Sequence, residues 1–289
     1  MKFIQPKTKY ELAHIIKDHC EENGWNSDLN FIDVSLITDM GSLFSDLRCD
    51  YDLSKFNGDI SQWNVSNVKN MKCMFYGSKF NQPLDNWDVS NVEDMSYMFY
   101  CAESFNQPLN NWDVSNVKDM GGMFNGAVKF NQPLNNWNVS NVKNMDDMFR
   151  WANNFNQPLD KWDVSNVKNM VGMFLGVYTF NQPLDNWNVS NVENMEAMFY
   201  GAKSFDQPLD NWNVSNVKNM DSMFAYAKSF NHPLDKWNVS NVKNIQDMFA
   251  YTESFDQSLN NWDVSNVKYM RNTFKNSKLE KINNFPNWY

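Results

Sequence analysis

Nine tryptophans recur through the chain: Trp63, Trp87, Trp112, Trp137, Trp162, Trp187, Trp212, Trp237 and Trp262. A row of indoles could stack sugars or nucleobases. Each, however, stands two residues before a valine, as in Trp87 and Val89. Residues two apart in an extended segment share a face, so the row reads as core. A second row places Asp160, Asp185, Asp210 and Asp235 in register, flanked by Lys161 and Lys236. Stacked carboxylates are a candidate Ca²⁺ site, but no calcium-loop pattern accompanies them, and a solvated polar face is the preferred reading. The three histidines (His14, His19, His232) and four cysteines (Cys20, Cys49, Cys73, Cys101) form no CxxC, metal-ligand, nucleophile-elbow or phosphate-loop pattern. The expectation is a protein that is not an enzyme, with free thiols and no cofactor or metal. Asn64, Asn138, Asn188, Asn213 and Asn238 each open an Asn-Val-Ser sequon, at a position that is Asp in other copies. They read as Asn/Asp exchange within a repeat.

That repeat must position all these groups. The string Trp-x-Val-Ser-Asn-Val occurs nine times at a spacing of 25, or 24 at the first step. A weaker copy, LNFIDVSLITDMGSLF, lies upstream with Ile32 in the Trp place, which makes ten turns with about six extra residues near SDLRCDYDLSK. Trp87-x-Val89 predicts a short strand, and Val92, Met95, Met98 and Phe99 predict a short helix or 3₁₀ segment. Pro108 predicts an extended return. Ten such turns predict a right-handed, leucine-rich-repeat-like α/β solenoid, with a parallel sheet on one face and short helices or 3₁₀ turns on the other. Residues 1–27 read as a helical N-terminal cap, 28–275 as the solenoid and 276–289 as an irregular C-terminal cap. Thr8 and Glu11 fit a capping box, and Gly24 fits a helix stop.

The invariant polar residues are read as structural. Asn91, Asn166 and their seven equivalents are expected to bond backbone groups of their own and the next turn. Paired methionines such as Met95 and Met98 read as a core stripe. A lysine row (Lys69, Lys118, Lys143, Lys168, Lys218, Lys243, Lys268) is broken by Glu93 and Glu193 and reads as a solvated edge.

The consensus FNQPL-NW-VSNV-NM--MF-GA resembles the 25-residue repeat of the mycoplasma-lipoprotein and BspA-like surface-protein family, over roughly residues 28–275. The resemblance implies a leucine-rich-repeat-like fold and a role in interaction or adhesion. It also implies a cell-surface or virion location. The N-terminus shows no signal-peptide pattern and no segment approaches the ~20 apolar residues of a membrane span, so the residues themselves predict a cytoplasmic location.

Composition narrows the partner. Formal net charge is −9, with 25 Lys and Arg against 34 Asp and Glu. A nucleic-acid binder would carry a basic surface, so no nucleic acid and no membrane insertion are expected. The slots that differ between copies, within and after Met-x-x-Met-Phe, gather Tyr97, Tyr100, Arg150, Trp151, Leu175, Tyr178, Tyr200, Tyr226 and Tyr251. Aromatics and Arg dominate protein-interface hot spots. The expected function is therefore a protein-binding scaffold whose variable slots face solvent. A glycan-binding or host-surface adhesin using the Asn/Asp face is the alternative, as is a structural subunit of a larger assembly such as a virion.

Overall fold

The computed structural model describes residues 4–47 and 51–289. Cys49, read as a free thiol, lies outside the described residues, as do Arg48 and Asp50 of the expected insertion. Cys20, Cys73 and Cys101 are free.

Helix α1 (Lys9–Asn23) opens the fold. Its start follows from local chemistry: the Thr8 hydroxyl accepts from the Glu11 N–H at 3.2 Å. The Glu11 carboxylate reaches back to the Lys7 N–H at 2.7 Å. Gly24, at φ +96°, ends the helix and donates to the Cys20 carbonyl at 2.8 Å. Leu12, Ala13, Ile16 and Cys20 are buried and join the core of the stacked turns. Helix α2 (Lys278–Lys281), capped by Ser277, follows the last turn.

Between the helices the expected strand-and-helix turns do not form. Helix accounts for 7 % and strand-type pairing for 4 %, with no sheet among the described residues, so the parallel-sheet leucine-rich-repeat solenoid is corrected. Neighbouring turns meet instead through single parallel bridges, from Asp39↔Asn70 through Asn144↔Asn169 to Asn244↔Tyr269.

The physical reason is turn chemistry. Trp87 donates to Leu84 (3.1 Å), Val92 to Val89 (2.9 Å), Met98 to Met95 (3.2 Å) and Ala102 to Phe99 (3.0 Å). Each closes a four-residue reverse turn. The Asp88 carboxylate accepts from the Ser90 N–H at 3.1 Å and from its hydroxyl at 2.6 Å, which bends the backbone where a strand was expected. Apolar residues three apart, which fit a helix, here mark consecutive turns. Positive φ at Tyr97 (57°) and Cys101 (51°) interrupts any helix.

Alternate amides point across the stack. Met95, Tyr97, Phe99 and Cys101 donate to Asp119, Gly121, Met123 and Asn125 of the next turn, at 2.7–3.1 Å. At the Asp94↔Asp119 bridge the direction also reverses, and Lys118 donates back to Glu93 at 2.9 Å. These bonds pair backbone groups of successive turns without extended strands.

The core is a set of aromatic columns. The repeat tryptophans are 2–4 % exposed, as their spacing from valine predicts. Trp162 stacks on Trp187 with ring centres 6.4 Å apart and planes 3° apart. Its indole N–H donates to the Leu134 carbonyl of the preceding turn at 2.9 Å. Phe149 stacks within its turn on Phe155 at 4.1 Å and across turns on Phe174 at 5.8 Å. Methionine pairs such as Met145 and Met148 are fully buried. The Asn row is a ladder: Asn166 Nδ2 donates to the Ser140 carbonyl at 2.7 Å. These asparagines are exposed, so their contribution is the ~1 kcal/mol of a solvent-competing hydrogen bond.

Candidate functional site

Two backbone positions in the turns adopt the left-handed region. The first column includes Ser42, Cys73, Tyr97, Gly122, Asp147, Gly172, Ala197, Ser222, Asp247 and Asn272. The second includes Gly77, Cys101, Gly126, Trp151, Gly176, Gly201, Tyr226, Tyr251 and Asn276. All lie between φ +51° and +72°. A non-glycine residue there costs roughly 1–2 kcal/mol. These columns run through the slots that vary between copies.

The variable slots are therefore not independent. A Cβ on Gly122 would lie 2.5 Å from the Tyr97 ring, and one on Gly176 would lie 2.3 Å from Trp151 Cε3. In both cases a large side chain leans over the glycine of the following turn. Glycine follows the larger residue at these places in Tyr97, Gly122, Asp147, Gly172 and in Cys101, Gly126, Trp151, Gly176, whereas Tyr226 and Tyr251 succeed one another by stacking.

The structure divides the predicted residues into three clusters. Tyr97 and Tyr100 meet at 5.9 Å, tilted by 59°. Tyr76, not among the predicted residues, stacks flat on Tyr100 at 4.4 Å. It occupies the Tyr100 slot one turn earlier, which aligning the copies reveals. Lys72 lies 5.8 Å above the Tyr97 ring. The second cluster joins Trp151 edge-on to Tyr178 at 6.1 Å, with Lys203 Nζ 4.2 Å above Tyr178. Lys203 also escaped the sequence reading, since lysine at that slot looks like ordinary solvated surface. Beside them Arg150 pairs with Asp147 at 3.2 Å. The third cluster sets Tyr200 against Tyr226 at 5.3 Å, tilted by 55°, and stacks Tyr226 flat on Tyr251 at 4.4 Å. Leu175 is half-buried, and its carbonyl accepts from the Trp151 N–H at 2.8 Å. Trp151 is 37 % exposed; the other candidates are half-buried rather than fully solvent-facing, because adjacent turns cover one another's slots.

Electrostatics follow from this packing. Burial, then the neighbouring Tyr100 phenol, pushes Tyr76 up to about 12. Burial raises Asp147 above the usual carboxylate range, opposed by Arg150. Tyr97 is raised by burial and then by Asp146, Asp147 and Asp119. Half-buried phenols beside Lys and Arg offer stacking faces, hydroxyl groups and cations. That inventory suits recognition of another macromolecule.

The remaining polar rows lie elsewhere on the turns. Asp160 accepts from Asn135 Nδ2 at 2.9 Å, and Asp210 pairs with Lys236 at 2.9 Å. In the lysine row, Lys218 pairs with Glu193 and Lys118 with Glu93. His232 stands where other turns carry a glutamine such as Gln207, and it lies 3.3 Å from Asp206, which stands where they carry an asparagine such as Asn181. Among the described residues, no helix is long and apolar enough to cross a membrane.

No curated protein matches the sequence. Among solved structures, a plant peptide hormone receptor, RGFR1 in complex with RGF2, aligns at 8 % identity with a TM-score of 0.15. The alignment covers 81 % of this chain and 53 % of the receptor chain, so the chain spans about half the receptor's length. A family described as Mycoplasma protein of unknown function, DUF285, matches residues 13–134, 104–207 and 173–288. The repeat-family resemblance holds at that level, and the match carries neither the BspA-like nor the leucine-rich-repeat label. With overlapping matches from residue 13 to residue 288, the chain is a tandem-repeat member of the DUF285 family.

Proposed function

We propose that the protein is a non-enzymatic protein-binding scaffold, and that its partner docks along the two left-handed columns. One observation carries this reading. Tyr97, Trp151, Tyr226 and Tyr251 occupy backbone positions where glycine would be unstrained, and glycine does stand there in other turns. Each such side chain costs roughly 1–2 kcal/mol of backbone strain. Strained residues of this kind persist at functional sites more often than elsewhere. Their chemistry is that of interface anchors: a partly exposed indole and stacked phenols, rimmed by Arg150, Lys72 and Lys203.

The test is affinity purification from the native source. Wild-type protein is compared with a variant carrying Arg150→Ala, Trp151→Ala and Tyr178→Ala. The scaffold reading expects the partner to be lost while the thermal melt stays cooperative. An unchanged set of captured proteins from a folded variant would refute it and shift attention to the Asn/Asp rows.

A further inference from the structure

The two ends of the stack are not alike. At the head, α1 covers the first turn. Its outward residues include Asp18, Glu21 and Glu22, all exposed. Residues 4–47 carry eight carboxylates against three cations. At the tail, residues 262–289 carry five cations against two carboxylates, Asp263 and Glu280. Lys268, Arg271 and Lys275 are exposed there, and none has an ion-pair partner among the described residues.

The tail is also only half covered. Trp288 imitates one more repeat tryptophan: it stacks on Trp262 at 6.1 Å with planes 4° apart and donates to the Leu259 carbonyl at 2.8 Å. The other half of the last turn stays open. Val264, Val267 and Met270 are partly exposed, whereas Val239, Val242 and Ile245 one turn earlier are at most 1 % exposed. Tyr269 is 59 % exposed. Ile245, Asp247 and Phe249 donate to Tyr269, Arg271 and Thr273, but the N–H groups of Met270, Asn272 and Phe274 find no protein acceptor among the described residues. An edge with unpaired donors and apolar side chains is a docking template.

We propose that the occupant is a second copy of this chain, docked head to tail, with its acidic α1 face on the basic open half of turn ten. Charge selects this arrangement. Tail-to-tail pairing sets Lys268, Arg271 and Lys275 against themselves, and head-to-head pairing sets Asp18, Glu21 and Glu22 against themselves. Only the head-to-tail contact pairs opposite signs. Such a contact is heterologous, so every bound copy presents a fresh tail and the assembly grows as a line.

Sedimentation velocity over a concentration series at low and high salt tests the proposal. Wild-type protein should form concentration-dependent species larger than a dimer, weakened by salt because the contact is electrostatic. A tail variant (Lys268→Glu, Arg271→Glu, Lys275→Glu) and a head variant (Asp18→Lys, Glu21→Lys, Glu22→Lys) should each sediment as monomers. Mixing the two should restore association. The head substitutions lie outside the repeat turns, so that variant carries the test alone if the tail variant misfolds. Wild-type protein that stays monomeric at low salt would overturn the proposal. So would association that survives either charge reversal in a folded variant, or a mixture of the two folded variants that stays monomeric.

Discussion

The coupling between turns predicts that two chemically identical substitutions will differ. Gly176 and Gly201 are consecutive members of one column, at φ +70° and +66°. Alanine at either position meets the same left-handed backbone cost of roughly 1–2 kcal/mol. At Gly201 a new Cβ would find its nearest neighbour at 3.9 Å, an ordinary contact. At Gly176 it would lie 2.3 and 2.4 Å from two ring carbons of Trp151. Overpacking of that kind adds about 1–3 kcal/mol. Gly201→Ala should therefore cost about 1–2 kcal/mol and Gly176→Ala about 2–5 kcal/mol. Adding Trp151→Gly to Gly176→Ala should remove the excess, giving a coupling of about 1–3 kcal/mol in a double-mutant cycle. Urea titration measures the global effect. Amide exchange at Trp151 and Gly176, which donate to Leu175 and Tyr200, measures the local one, because each turn of a repeat array contacts only its neighbours. Equal penalties at the two glycines, or a cycle that closes to zero, would refute the idea that the variable slots constrain one another.

Other consequences are simpler. Asn166→Ala removes a 2.7 Å bond to the Ser140 carbonyl and should cost about 1 kcal/mol by urea titration, with partner capture unchanged. Acid should act partly through the reverse-turn aspartates. Hydrogen bonds from the Ser115 side chain and then its backbone hold Asp113 below the usual carboxylate range, and Ser265 does the same for Asp263. A lowered folded-state pKa gives stability that is present above the ordinary value and lost as pH falls through the folded one. Asp113→Asn with Asp263→Asn should therefore flatten the loss of melting temperature below about pH 4 while leaving neutral stability nearly unchanged. Asn138 already makes the equivalent bond to Ser140 in another turn, at 3.2 Å.

Much of the interior was readable because repetition places the same neighbours around each slot. The tryptophan, phenylalanine and methionine columns follow directly from residues that recur every 25 positions. The Asn ladder was readable in kind, though its exposure was not. The local backbone was misread because the i, i+3 spacing of Val92, Met95 and Met98 satisfies both a helix and a chain of reverse turns. What decides between them is the positive φ at Tyr97 and Cys101, which carry no glycine to announce it. The overlap of Trp151 with Gly176 was hidden for another reason. It joins residues one full turn apart, so it emerges only when copies are compared vertically rather than along the chain. For the same reason Tyr97 and Tyr226 appeared fully solvent-facing, when adjacent turns half-bury them.

The role proposed for the left-handed aromatics is recognition rather than folding. Replacing Tyr97, Trp151, Tyr226 and Tyr251 together with glycine separates the two roles, because glycine suits the φ of +56° to +60° at these positions. Thermal melting and partner capture on the same preparation form the decisive measurement. The expected result is a melting temperature that is preserved or raised, with the captured partner lost. A folded variant that retains its partner at wild-type affinity would contradict it.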